Sequence, residues 1–134
     1  MLNIRKRAVC TTITFDLLDA DDSLLVDDDG SPCQATIHGP GSRKYIGAQA
    51  RRQALLLAKV QKGKAPSFTA DETLRNQAEF LADITDDIGL AYDDLQGRDK
   101  LVAIYGDPEL GYIAEQVSKK AGDWANFSQG SARS

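Results

Sequence analysis

The chain has 134 residues, of which 42% are apolar and 27% charged, with a formal net charge of −4. That length and balance suit one globular domain and exclude wholesale disorder. No apolar run approaches the roughly 20 residues that span a bilayer. The basic start (Arg5, Lys6, Arg7) has no apolar segment behind it, because Cys10, Thr11 and Thr12 interrupt the stretch; no signal peptide and a cytoplasmic location are expected.

Residues 9–15 alternate with period two, which predicts a strand with Val9, Ile13 and Phe15 on one face. Residues 19–23 read as a turn and 24–26 as a short strand. Residues 27–32, rich in Asp with Gly30 and Pro32, form a second turn. Residues 33–37 alternate again, with Cys33, Ala35 and Ile37 together. An N-terminal antiparallel hairpin or three-stranded sheet follows, too small to stand alone. Gly39, Pro40 and Gly41 break the strand, and Ser42 is an N-cap for a helix reaching about Lys62, capped at Gly63. Its expected core stripe is Tyr45, Ala48, Arg52, Leu55, Leu56 and Val60.

Thr69 and Glu72 form a capping box for a second helix. Leu74, Ala78, Leu81, Ile84 and Ile88 share its stripe, and its end is expected within 86–89. Residues 89–97 fit a loop or a short strand. A short helix over 98–105 comes next, and then one opened by Asp107 and Pro108, with Leu110, Ile113, Ala114, Val117 and Ala121 inward. The predicted fold is therefore α+β, a small sheet packed on about four helices. A single domain over 1–127 precedes a Ser/Gly-rich, flexible tail over 128–134.

The residues give little support to catalysis. Aligning Gly30 with the invariant glycine of a calcium loop puts Leu25 and Thr36 where acids are required. Cys10, Cys33 and His38 are too few for a structural zinc site; the cysteines, both in predicted strands and so possible neighbours, read as reduced core residues. His38 and Ser42 lack an orienting acid and a nucleophile elbow. The Gly39–Ser42 turn lacks the spacing of a phosphate-binding loop. No enzyme, cofactor or metal is expected.

Charge is more informative. Seven aspartates between 16 and 29 form an acidic block, whereas 30–70 contains no acid and seven bases. A solvated face, a protein-binding face and a nucleic-acid footprint all fit such a segment. The low pI and the lack of a recognition motif make nucleic acid the weakest of these. Basic and acidic segments in one chain also permit head-to-tail self-association.

The junction Thr36-Ile37-His38-Gly39-Pro40-Gly41-Ser42-Arg43-Lys44-Tyr45 resembles the strand–Gly-Pro–helix junction of tail assembly chaperones from long-tailed bacteriophages. Phe80-Leu81-Ala82 matches their apolar helix. Gly111-Tyr112-Ile113-Ala114-Glu115-Gln116-Val117, followed by Asp123-Trp124-Ala125-Asn126-Phe127, is similar to their closing pattern. Residues 90–95 depart from it, lacking the tryptophan often found there. The resemblance implies a non-enzymatic chaperone, absent from the finished virion, that binds the tape-measure protein and brings tail-tube subunits to it. It also implies a tail that suits joining to a longer, frameshifted form. The expected protein-binding residues are Arg43, Lys44, Arg51, Arg52 and Lys59 on the basic helix, with Tyr112, Trp124 and Phe127 near the C-terminus. The rival readings are a structural tail subunit retained in the virion and a nucleic-acid-binding regulator.

Overall fold

The structure, a computed structural model, describes residues 1–61 and 68–128. The predicted Gly63 cap, most of the following loop, Lys62, Lys64 and all but the first residue of the 128–134 tail lie outside them. The elements run β1 (Thr12–Asp16), β2 (Gln34–His38), α1 (Arg43–Gln61), α2 (Ala70–Ile84), β3 (Thr85–Ile88), α3 (Gly97–Gly106) and α4 (Gly111–Ala121). Short 3-10 turns lie at Ile4–Arg7, Pro108–Leu110 and Trp124–Phe127. The fold is α+β: a three-stranded antiparallel sheet in the order β1-β2-β3 with four α-helices among the described residues.

β1 and β2 form because their β-branched residues alternate. Ile13, Ala35 and Ile37 face the core, while Thr12, Thr14 and Asp16 face out. The chain between the two strands bends twice. Asp19 N–H donates to Ser23 C=O, and Asp27 N–H to Ser31 C=O, with Gly30 at a φ of +85° that glycine adopts without strain. The predicted strand at 24–26 reduces to isolated bridges, Leu18 to Leu24 and Val26 to Pro32.

The third strand comes from elsewhere. The helix expected to reach 86–89 ends at Ile84, and Thr85–Ile88 pairs with β2. The register shifts opposite Thr36 and Ile37, so two aspartates bulge outward while Thr85 and Ile88 are both buried. Thr85 also anchors the junction: its hydroxyl donates to Leu81 C=O and lies 2.7 Å from the Tyr105 hydroxyl. Because the threonine hydrogen is already committed, Tyr105 is the donor between them. Burial pushes the Tyr105 phenol up to about 12, partly opposed by the Thr85 contact, so it remains a donor throughout the physiological range.

The core joins the inner face of the sheet to α2, α3 and α4 through Leu17, Ile37, Leu81, Ile84, Ile104, Ile113 and Val117. Gln116 on α4 ties the hairpin down: its side chain accepts from Leu18 N–H and donates to Leu18 C=O, both at 2.7 Å. The two cysteines are not neighbours. Cys10 precedes the Thr12–His38 end of the strand pair and Cys33 adjoins the Asp16–Gln34 end, about 20 Å apart at roughly 3.3 Å per residue.

Candidate protein-binding site

α1 is seated by its N-terminal turn. Ser42 Oγ accepts from Tyr45 N–H and donates to Gly39 C=O, so one buried hydroxyl closes both the turn and the helix. From there α1 lies along α2. Tyr45 meets Phe80 edge-on, with centroids 5.4 Å apart, and the Arg52 guanidinium sits 4.4 Å from the centre of that ring. Arg51 pairs with Asp83 at 2.7 Å, and Arg98 of α3 bonds to the other oxygen of the same carboxylate. Lys59 Nζ lies 3.1 Å from Glu72 and 4.5 Å from the centre of the Phe68 ring.

These contacts divide the expected basic face. Arg51, Arg52 and Lys59 point at α2 and at Phe68 before it, their charge spent on two carboxylates and two aromatic rings within the molecule. Arg43 and Lys44, in the first turn, are exposed. The stripe expected to enter the core does so only in part: Ala48 is the one buried residue of α1, while Leu55, Leu56 and Val60 are exposed. The reason is amphipathic side chains. The flat guanidinium of Arg52 covers Phe80 and the ammonium of Lys59 sits over Phe68, with their aliphatic stems lying along α2.

The opposite side of α1 carries a second stripe, of which only Val60 was among the residues expected to face the core. Ile46, Ala50, Gln53, Leu57 and Val60 recur at alternating steps of four and three residues, and all are exposed. Ile46 is 58% exposed, Leu57 56% and Val60 48%. Gly47, Ala54 and Ala58 flank them, also exposed. At 3.6 residues per turn this is one continuous stripe, without charge after Arg43, and of the kind that packs against another helix. The signal was present in the sequence as a second, charge-free stripe beside the one chosen.

The C-terminal residues separate. Trp124 is 57% exposed, and its indole lies beside Gly41, just before α1 begins, where an added Cβ would come 3.5 Å from the ring. Tyr112 is half-buried in a groove with Leu74, Gln77 and Pro108. Phe127 is fully buried, which removes it from the expected binding surface: its ring packs on Gly39, where a Cβ would overlap it. A chain with few large side chains uses this one to close its core.

Among the described residues no cluster of His, Cys, Asp or Glu could hold a metal, and no helix is long and apolar enough to cross a membrane. Burial, helped by Asp27, Asp29 and Asp28, pushes the Cys33 thiol up and disfavours the reactive thiolate. Comparison of the chain with protein-family models, curated proteins and solved structures found no match.

Proposed function

We propose that this chain is a non-enzymatic chaperone of phage tail assembly, acting in the host cytoplasm, that shields apolar helical surface of the tape-measure protein before the tail tube encloses it. The observation that carries the reading is the uncharged stripe of Ile46, Ala50, Leu57 and Val60, left open along a 19-residue helix. A helical client laid against that stripe buries apolar surface on both sides, at roughly 25 cal/mol per Å². Arg43, Lys44 and Trp124 stand at its N-terminal end and supply the rim. Arg51, Arg52 and Lys59 support the surface from behind by fixing α1 on α2.

Co-expression with the tape-measure protein of the same genome, followed by size exclusion with light scattering, tests this. The expected result is a soluble complex with several chaperone copies per client chain, lost in Ile46→Glu/Leu57→Glu, which stays folded. A client that stays insoluble beside monomeric chaperone, or a double variant that binds equally well, overturns it. Recovery of the chain in washed virions would instead favour a structural tail subunit.

A further inference from the structure

β1 is an edge strand, and its open edge is blocked at both ends but not in the middle. Thr11 C=O accepts from Gly39 N–H, and Leu17 N–H donates to Cys33 C=O. With the register Ile13 to Ile37 and Phe15 to Ala35, the odd-numbered residues of β1 therefore bond to β2. The even-numbered ones turn their backbone groups outward. At one end Cys10 N–H donates to Phe127 C=O. At the other, the Gln116 amide takes both backbone groups of Leu18, as a neighbouring strand would. Between them Thr12, Thr14 and Asp16 are exposed, and their outward N–H and C=O groups have no partner among the described residues.

A groove of about 570 Å³ runs along residues 13–16, bounded also by Gln34, Lys120 and Asn126. Asn126 donates to Lys120 C=O, tying these two residues together. The Lys120 ammonium lies 5.6 Å from the centre of the Phe15 ring and has no ion pair among the described residues.

We propose that this groove takes an extended, acid-bearing segment of another protein, which adds to the sheet as a fourth strand beside β1. Donors and acceptors repeating every second residue along one line match the backbone of a strand. The Lys120 ammonium over Phe15 matches a carboxylate, while the Asp16 carboxylate in the same groove already accepts from the Gln34 amide. A second copy fits poorly, because its own free edge lies between the same walls. The site is separate from the outer stripe of α1 and does not depend on it.

An mRNA-displayed library of random ten-residue peptides, selected on the folded chain, is the test. Proline at Thr14 removes an outward N–H that β2 does not use, so Thr14→Pro should fold. Thr14→Val is its control, since both variants lose the 2.7 Å contact between the Thr14 and Thr36 hydroxyls but only proline removes the N–H. Enriched peptides should carry an acid and shift the amide signals of Thr12, Thr14 and Asp16. They should bind at least tenfold more weakly to Thr14→Pro and Lys120→Glu while keeping their affinity for Thr14→Val. N-methylation of alternate peptide residues should have the same weakening effect, which covers the case of a Thr14→Pro chain that does not fold. Failure to enrich any peptide, or enriched peptides indifferent to both backbone changes, overturns the proposal.

Discussion

Phe127 shows how one side chain can close a small core. It is fully buried, its ring fills the space that a side chain on Gly39 would need, and its carbonyl holds Cys10 N–H. Truncating it leaves a cavity that the surrounding strands cannot fill, so Phe127→Ala should cost about 3–5 kcal/mol in urea unfolding. Trp124→Ala, three residues away and largely exposed, should stay within about 0.5 kcal/mol. Gly39→Ala should also destabilise, by overpacking. In a Phe127→Leu background it should cost clearly less than alone, because the two residues compete for one volume. Strict additivity in that double-mutant cycle would refute the contact.

At the scale of elements, the N-terminus of α2 offers a pH-dependent test. Glu72 accepts from Thr69 N–H and pairs with Lys59, and these contacts hold its carboxyl below the usual 4.5. A depressed folded-state value means that the stabilisation is present above about pH 4.5 and lost as the pH falls through the folded-state value. Amide exchange at the first turn of α2 should therefore accelerate as the pH is lowered from 5 to 3, beyond the intrinsic trend. Glu72→Gln keeps a capping side chain but not the titration, and should flatten the extra dependence. This capping box and the Ser42 cap were both legible in the sequence, because their residue types have few other uses at those spacings. The same holds for β1 and β2, whose alternation is clean. β3 was not legible. Its bulge puts Thr85 and Ile88 inward with Asp86 and Asp87 outward, which erases the two-residue period and leaves a segment that reads as the end of a helix. The seating of α1 was legible in part: Tyr45, Ala48 and Arg52 of the expected stripe lie toward α2, whereas Leu55, Leu56 and Val60 of the same stripe stay exposed because cations cover the aromatic rings on and before α2. Of the expected binding residues, Arg43, Lys44 and Trp124 remain at an open surface. Phe127 belongs to the core, and the three remaining bases of α1 hold the helix in place.

Across the whole molecule, stability should be uneven. α2, α3, α4 and the sheet share the buried residues, while α1 contributes only Ala48 to them. The ion pairs that hold α1 are partly exposed, so water screens them and the cost of ordering two long side chains offsets much of their attraction. In native-state hydrogen exchange, α1 should open at lower free energy than α2 or α3, without the rest unfolding. Equal protection in all three helices would show that α1 is held by more than these contacts. Lower protection of α1 is also what the proposed chaperone role expects, since the helix that carries the outer stripe would then be free to adjust to a bound client.

The direct passage from Ile84 at the end of α2 to Thr85 at the start of β3 limits how the gene can change in length. One inserted codon there would either rotate the helix by about 100° or slide β3 by one position, placing Asp87 where Ile88 now sits and the inserted residue where Thr85 does. Related sequences should therefore keep this junction gap-free and gather their insertions and deletions in the hairpin loops at 19–23 and 27–31, where added length disturbs no buried side chain.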